Sequence, residues 1–363
     1  MKWIEVSYVW LDGNITPQLR SKIKLIEVED EQEAINLSMI PEWSYDGSSC
    51  NQAEVDNSDL ILRPYSLSKT PWETFVVFCE VFNPDGKTPH ETNYRASLRN
   101  ILKENPSTRD YWFGVEQEYV INNVETNTVL GWEHGTPAPQ GPYYCGVGGQ
   151  RTVGRTFVNE HYATCKTMGI PIAGANAEVM LGQWEYQIGY MDALTVADNL
   201  WLARYMAEII SERYKYSISL EPKPKTGDWN GSGAHINFST PSMRMAKSSS
   251  MEYLESVCDE FKKHPELIHV YGEDNNLRLT GKHETAHIND CTYGVSDRTK
   301  SIRIPVTTAN EGRGYLEDRR PGANVDPFQA FASIIGVLQV IPEGDFHTSD
   351  EVEVVEHEVK SGT

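Results

Sequence analysis

The first eighty or so residues alternate hydrophobic and polar positions at the spacing of β-strands. Residues 3–11 alternate as far as a turn at residues 12–14, and residues 73–82 form a β-branched and aromatic run that ends at a second turn, residues 83–86. Short runs of this kind between turn residues predict strands. We therefore expect a small β-rich domain over residues 1–86.

Beyond residue 86 the hydrophobic residues recur at helical spacing between shorter strand-like runs. Helices are predicted at residues 94–103, 153–168, 192–214, 251–267 and 327–342. In the third of these, Leu194, Ala197 and Trp201 follow a helical period, and Asp192 can cap the first turn. Helices between strands predict an α+β domain over residues 87–344, and the acidic residues 345–363 are expected to form a mobile tail.

The composition excludes several classes of partner. The 363 residues carry 32 Lys and Arg against 52 Asp and Glu, a net charge of −20. A surface of this sign repels phosphates, which argues against binding to nucleic acid or to anionic membranes. The most apolar run, residues 327–342, is interrupted by Gln329 and Gln339 and is too short for a membrane span, so a buried helix is expected.

The expected compartment is the cytoplasm. No apolar leader follows Met1, so neither a signal peptide nor a transit peptide is predicted. The six cysteines are scattered, without Cys-x-x-Cys spacing. We expect them to be free thiols in a reducing compartment.

Residues 111–121 are predicted to form a strand in which Glu116 and Glu118 lie on the same face. A solvated sheet face is one interpretation, since alternating charge is common on exposed strands. The flanking aromatic residues favour burial instead. Two buried carboxylates would raise each other's pKa or need a cation, for which a divalent metal is the usual solution.

A second acidic pair is predicted from a hairpin at residues 176–188. With Leu181 and Gly182 as its two-residue turn, Glu178 falls directly opposite Glu185. Like charges placed opposite each other destabilise a sheet. Two such pairs in one chain favour an acidic metal-binding pocket over exposed carboxylates on the protein surface.

Two further segments carry candidate ligands. In residues 228–239 a glycine-rich loop leads into a strand on which His235 and Ser239 share a face, although a lone histidine is more often structural. In residues 314–321 an extended chain would place Tyr315, Glu317 and Arg319 together.

Residues 291–322 are unusually basic for this chain. They contain six basic and four acidic residues. Arginine side chains suit the recognition of phosphate or carboxylate, with surface ion pairs as the alternative for any single arginine.

One familiar motif occurs in an unsuitable context, and two nucleotide-binding motifs are absent. Residues 283–287 spell the H-E-x-x-H zinc-protease signature, which requires a helix to bring both histidines to one face. Thr280 and Gly281 precede it and Asn289 and Asp290 follow, so the context weakens this alternative. The chain also lacks G-x-x-x-x-G-K-[ST] and G-x-G-x-x-G, so a bound nucleotide would not be held by a P-loop or a Rossmann turn.

Taken together, these segments resemble glutamine synthetase, specifically the short type II form of eukaryotes and some bacteria. The resemblance spans nearly the whole chain and is carried by residues 43–49, 113–119, 138–144, 176–187, 230–239, 278–285, 301–305 and 315–321. It implies an α+β protein with a small N-terminal β-grasp-like domain and a larger C-terminal catalytic domain, which has an antiparallel sheet and flanking helices. It also implies a homo-oligomer, a decamer of two stacked pentameric rings with active sites between subunits.

The same resemblance implies ATP-dependent ligation of ammonia to the γ-carboxylate of L-glutamate through γ-glutamyl phosphate, giving L-glutamine, ADP and phosphate. Two sites for Mg2+ or Mn2+ would consist of Glu118, Glu178 and Glu185, and of Glu116, His235 and Glu317. Phosphate would be handled by Arg298, Arg303 and Arg319, glutamate by Asn230, Gly231 and Arg278, and ATP by Trp112, Ser239 and Tyr315. Asp46 would bind ammonium at the site of a neighbouring subunit, and Glu284 would close over the intermediate.

The chain departs from the family pattern at Tyr190, where proline is frequent in eukaryotes, and at Val306, where arginine is frequent. Two other functions remain open: a γ-glutamyl-amide synthetase that uses another amine, and an inactive scaffold or regulatory paralogue. Intact Asp46 and Glu284 favour ammonium. The complete set of six metal-ligand positions argues against an inactive chain.

Overall fold

A computed structural model describes residues 1–29, 34–245 and 248–341. The strands are β1 (Lys2–Leu11), β2 (Leu19–Val28), β3 (Trp43–Asp46), β4 (Asp59–Lys69), β5 (Phe75–Phe82), β6 (Trp112–Asn123), β7 (Thr128–Val129), β8 (Ile172–Ala177), β9 (Gln183–Asp192), β10 (Tyr216–Ser219), β11 (Ala234–Ser239), β12 (Tyr293–Val295), β13 (Ile302–Ile304) and β14 (Leu316–Asp318). The helices are α1 (Tyr94–Glu104), α2 (Arg155–Thr167), α3 (Ala193–Arg213), α4 (Pro241–Arg244), α5 (Met251–Lys262), α6 (Val306–Glu311) and α7 (Pro327–Gln339). The α+β class expected from the sequence is confirmed.

The first sheet is five-stranded, in the order β2-β1-β5-β4-β3, and lies before residue 86. Its β1 and β5 strands are parallel and the other neighbours are antiparallel. Alternate residues of β1, among them Val6, Tyr8 and Trp10, enter the core of this sheet. Val9, on the other face of β1, joins the larger core together with Phe78. The small sheet is therefore packed on the rest of the chain through one face.

The second sheet has nine strands and supports the site. Its main path is β12-β13-β14-β11-β6-β9-β8, with β7 and β10 also paired to β6. All pairs are antiparallel except β12 with β13. One face of β6 is covered by helices: Phe113 stacks on Phe331 of α7, with ring centroids 4.4 Å apart, and Gln117 accepts hydrogen bonds from Arg204 of α3. Because side chains alternate along a strand, Glu116 and Glu118 project from the opposite face.

Most predicted helices lie within three residues of their predicted bounds. The exception is the helix predicted over residues 251–267, which ends at Lys262 and is followed by a separate 3-10 helix, Pro265–Val270. Proline disfavours helical geometry in the residue before it, so Pro265 divides the two elements.

The predicted hairpin register is wrong. A turn does form at Leu181 and Gly182, since the amide of Gln183 donates to the carbonyl oxygen of Met180. The amide of Glu178, however, donates to the carbonyl oxygen of the same Gln183, so two extra residues loop out of the ladder. Asn176, not Glu178, is therefore the partner of Glu185.

The described residues contain no helix that is long and apolar enough to cross a membrane. All six cysteines are free, as expected. The tail predicted over residues 345–363 lies outside the described part of the chain.

Candidate active site

Two groups of three metal-ligating side chains lie in one cleft on the face of the nine-stranded sheet away from the helices. In each group the ligand atoms lie within 4.8 Å of one another. The first group is Glu118, Glu178 and Glu185, and the second is Glu116, His235 and Glu317. These are the two ligand sets that the resemblance implied, and all six residues line the same cleft.

Strand register brings these distant residues together. Glu118 of β6 is directly opposite Glu185 of β9. On the other edge of β6, Glu116 is opposite His235 of β11, and β14 follows β11 in the sheet and carries Glu317. Adjacent strands lie about 4.8 Å apart, so four neighbouring strands can deliver five ligands to one patch. The sixth, Glu178, comes from the loop between β8 and β9.

The first group consists of three closely spaced carboxylates, of which Glu178 and Glu185 are buried and Glu118 is partly buried. Burial, followed by repulsion from Glu118, raises the pKa of Glu185 to about 9. The same two causes raise the pKa of Glu178, and burial raises that of Glu118. Three carboxylates at this distance in a low-dielectric site require either protons or a cation.

The second group contains a neutral imidazole with an unused nitrogen. Nδ1 of His235 lies 3.7 Å from Glu116 and 3.6 Å from Glu317, and it has no hydrogen-bond partner in the described part of the chain. Burial, followed by Arg319, lowers the pKa of His235 well below its ordinary value. A buried, neutral, unpartnered nitrogen beside two carboxylates matches the ligand set of a divalent cation.

Arginine side chains surround Glu317 and the mouth of the cleft. Arg303 and Arg319 donate to its two carboxylate oxygens, at 2.7 and 2.5 Å. Arg298 is half exposed, and its Nη1 lies 3.5 Å from Oε2 of Glu284. These three arginines line the cleft, which places positive charge next to the acidic groups.

The residues predicted to bind glutamate form one wall of the cleft. Arg278 is buried and donates through Nη2 to three successive carbonyl oxygens, those of residues 319–321. Gly231 packs so closely that an added Cβ would lie 2.4 Å from the carbonyl oxygen of Pro222 and 2.5 Å from Cγ of Arg278. Asn230 accepts a hydrogen bond from Gln140. Only glycine fits at position 231.

The three residues predicted to contact ATP line a second cavity of about 410 Å³. Trp112 and Tyr315 are each 40% exposed, and Ser239 is buried. Glu116 lines this cavity as well as the cleft, so the two spaces meet at a candidate metal ligand.

Asp46 is exposed and does not line the cleft of its own chain in the described structure. Its carboxylate accepts hydrogen bonds from the amide and hydroxyl of Ser48 and from the hydroxyl of Ser49. These bonds lower the pKa of Asp46.

Several residues that line these spaces were not among the predicted site residues. Tyr144, Gln183 and His283 line the cleft, and Arg244 lines the cavity. Tyr144 lay in one of the matching segments, residues 138–144, but had no chemical pattern of its own. His283 belongs to the H-E-x-x-H segment, which is not helical, so the zinc-protease interpretation is not supported.

Comparison with known proteins identifies the family. Residues 93–342 match the model of the family described as "Glutamine synthetase, catalytic domain". The chain belongs to the glutamine synthetase family. It is 44% identical to glutamine synthetase of Amanita muscaria over 333 residues, which cover 90% of this chain and 91% of the relative. Identity to the chloroplastic glutamine synthetase of Chlamydomonas reinhardtii is 46% over 335 residues, 88% of this chain and 87% of the relative.

Glutamine synthetase of Saccharomyces cerevisiae is 42% identical over 330 residues, 90% of this chain and 86% of the relative. As a member of the glutamine synthetase family, the chain is a glutamate–ammonia ligase, which makes glutamine from glutamate and ammonia with ATP.

Proposed function

We propose that the cleft between β6, β9, β11 and β14 is where this chain makes glutamine, by way of γ-glutamyl phosphate. One observation carries the proposal: two three-ligand groups lie side by side, and the cleft they share opens at Glu116 into a partly apolar cavity. A site for two cations next to a cavity that can hold a nucleoside suits phosphoryl transfer from a nucleoside triphosphate.

The ligand sets suit Mg2+ or Mn2+. Five carboxylates and one imidazole are hard donors, without a thiolate that would favour zinc. Support comes from the unpartnered Nδ1 of His235 and from the raised pKa values of Glu178 and Glu185, whose buried carboxylates repel their neighbours. When bound, the cations would neutralise the phosphoryl oxygens of ATP and of the intermediate.

The arginines would stabilise the negative charge of the transferred phosphoryl group. A carboxylate is a poor electrophile for ammonia, so the γ-carboxylate of glutamate first takes a phosphoryl group from ATP. We assign Arg298, Arg303 and Arg319 to the charge on that group, since guanidinium forks match phosphate oxygens. Glu317 holds two of these side chains in place from the sheet.

Glutamate would bind against the loop that contains Asn230 and Gly231. The absence of a side chain at Gly231 lets this loop pack closely against Pro222 and Arg278 beside the cleft. Arg278 is fixed by three carbonyl oxygens and still lines the cleft, so its orientation toward a substrate carboxylate is set before binding.

Amination requires a deprotonated amine and exclusion of water. We propose that Glu284 closes over γ-glutamyl phosphate, because it lines the cleft beside Arg298 and Arg319. We also propose that Asp46 binds ammonium at the site of a neighbouring subunit in a decamer. Support for this comes from its exposed position, away from the cleft of its own chain.

The proposal is tested by incubating the protein with ATP, Mg2+ and L-glutamate, with and without ammonium, and measuring ADP and glutamine together. Equal amounts of ADP and glutamine that depend on ammonium are expected. Glu178→Gln should abolish both, whereas Glu54→Gln should not, because Glu54 is exposed and its side chain makes no capping hydrogen bond. ADP release that depends on another amine would indicate a γ-glutamyl-amide synthetase, and no turnover with any amine would contradict the proposal.

A further inference from the structure

Gln183 lies between the first group of metal ligands and the loop of residues 230–233, which contributes to the glutamate wall of the cleft. It is the first residue of β9, opposite Val120 of β6, and it shares a face of β9 with Glu185. Its side chain lines the cleft, although the residue is 2% exposed. A neutral amide has no acid–base or nucleophilic part in the proposed chemistry, so its contacts indicate what it does.

The side-chain amide of Gln183 joins this loop to β9. Its Nε2 donates to the carbonyl oxygen of Gly231 at 3.0 Å and to Oγ of Ser232 at 3.1 Å. An amide NH2 group has enough hydrogens for both bonds. Oε2 of Glu118 is a more distant acceptor, at 3.4 Å. The same nitrogen therefore contacts the loop and a candidate metal ligand.

The acceptors around Nε2 determine the orientation of this amide. Oε1 of Gln183 is buried and has no hydrogen-bond partner in the part of the chain that the structure describes. A buried polar atom without a partner is costly. A rotated amide would nevertheless be worse, because it would point Oε1 at the carbonyl oxygen of Gly231 and at the carboxylate of Glu118. The bonds to the loop thus outweigh the unsatisfied oxygen.

The other end of the loop is attached to β6 through Glu118. The backbone amide of Glu118 donates to the carbonyl oxygen of Gly233, and Oε2 of its side chain accepts from the amide of Gly233 at 2.7 Å. Gly231 lies two residues earlier in the loop and is held by Gln183. Attachment at both points fixes the orientation of the loop, which a single attachment would leave free to pivot.

We propose that Gln183 is a positioning residue for glutamate, which holds Gly231 at a fixed distance from Glu118 and so sets the width of the cleft between the metal ligands and the glutamate wall. This inference rests on the proposed function, because it takes the loop to bind glutamate. A binding loop that is ordered in advance lowers the entropic cost of binding. Loss of the amide therefore weakens glutamate binding and leaves the ligands of the cations in place.

Gln183→Met tests this role, because methionine has a similar length and no amide. Calorimetry with Mg2+ and without ATP measures the Kd of glutamate without turnover, and kinetics give kcat and the KM values of glutamate and ATP. The Kd and KM of glutamate should rise about tenfold, as for the loss of a buried hydrogen bond. The values of kcat, the KM of ATP and the Kd of Mg2+ should stay within about twofold. Gln329→Met is the matched control, because the amide of Gln329 donates to Asp326 and does not line the cleft.

A second substitution tests the contact itself. Ser232→Ala removes one acceptor of the Gln183 amide and no atom of the loop backbone. It should raise the Kd of glutamate about threefold in the unmodified chain. Combined with Gln183→Met it should add nothing, since residues that act through one contact are not additive.

Four results would overturn the inference. An unchanged Kd of glutamate in Gln183→Met would show that the amide does not position the loop, as would an unchanged Kd in Ser232→Ala if Gln183→Met does not fold. Equal weakening of glutamate and Mg2+ would show that Gln183 supports the metal ligands instead. Additive effects of the two substitutions would show that they act independently. No glutamate binding by the unmodified chain would contradict the proposed function as well, whereas Gln183-dependent binding in a chain that makes no glutamine would contradict the proposed function alone.

Discussion

Three closely spaced glutamates set the charge balance of this site. Glu118, Glu178 and Glu185 all have raised pKa values, and burial is the main cause for each. In the unfolded chain, by contrast, each carboxylate is in water and ionises near its ordinary pKa. Folding without a cation therefore favours protons on these oxygens, and binding a cation displaces them.

The metal-free chain should lose stability as the pH rises from 7 to 9. A glutamate whose pKa is raised on folding stabilises the folded state fully below its unfolded pKa, and this contribution is lost as the pH rises through the folded pKa. For Glu185 that window runs from 4.5 to about 9. Above pH 7, His235, whose pKa is lowered, is neutral in both states and adds no opposing trend. For Glu185 the expected loss is about 1 kcal/mol per pH unit over this range.

Thermal or urea unfolding in EDTA and in excess Mg2+ measures this effect. Mg2+ should raise the unfolding midpoint more at pH 9 than at pH 7, because protons compete with the cation for the same oxygens. Glu185→Gln should reduce the pH dependence in EDTA. A gap between the EDTA and Mg2+ curves that does not vary with pH would contradict the argument.

At the scale of elements, the central strand β6 organises the site. One of its faces carries Phe113 and Gln117 into the helix-packed core, and the other carries Glu116 and Glu118 into the cleft. Its two neighbours, β9 and β11, supply the facing ligands through register. Loops add residues whose backbone packs too closely for a side chain, among them Gly231 in the wall of the cleft.

Gly231→Ala should displace the loop that forms the glutamate wall of the cleft. The new Cβ would lie 2.4 Å from a backbone oxygen, which cannot move as freely as the end of a side chain. We expect a destabilisation of about 1–3 kcal/mol and a raised KM for glutamate. Gly149→Ala is the matched control, because an added Cβ there meets no atom within 4 Å. Equal effects of the two substitutions on the KM of glutamate would show that the close packing of Gly231 does not determine glutamate binding.

At the scale of the whole molecule, an ionic cluster around the buried Glu80 joins the five-stranded sheet to helices α1 and α3. Glu80 of β5 accepts hydrogen bonds from Arg95 and Arg99 of α1, and Arg95 also binds Asp198 of α3 through two bonds of 2.8 Å. Glu80 is 3% exposed. The small sheet is thus tied by charge, as well as by apolar packing, to the helices behind the site.

Removal of the charge of Glu80 should loosen this connection. Glu80→Gln leaves Arg95 with Asp198 as its remaining counter-ion and deprives the half-exposed Arg99 of its carboxylate partner. We expect a loss of about 1–3 kcal/mol in the free energy of unfolding. Glu73→Gln removes the carboxylate of an exposed ion pair with Lys69 and should cost less than about 0.5 kcal/mol. Urea unfolding of both variants makes the comparison. Similar losses of unfolding free energy for the two variants would show that the cluster does not stabilise the contact between the five-stranded sheet and the helices.

Mixed oligomers test the proposed site between subunits. Asp46→Asn and Glu185→Gln should each abolish glutamine formation alone. If Asp46 acts at a neighbouring subunit, oligomers reassembled from both variants contain some sites with both native residues, and activity should return. The control mixes two preparations that both carry Glu185→Gln. No recovery in reassembled oligomers would show that Asp46 does not act across subunits.

Much of the local structure and the chemical character of the site could be predicted from the sequence alone. The alternation along β6 predicts that Glu116 and Glu118 share a face, and the turn at Leu181 and Gly182 is also predicted correctly. Both depend on residues within a few positions of each other. The ligand sets came from motifs, through the resemblance to a family.

Only the tertiary structure decided which distant residues meet. Glu118 is opposite Glu185, and His235 is opposite Glu116, because of strand pairings between segments far apart in the chain. The hairpin register was wrong because two extra residues leave the ladder without changing the local pattern. The stack of Tyr190 on Trp112 joins the end of one strand to the start of another. Local composition determines the elements and their faces, whereas long-range pairing and packing determine which faces come together.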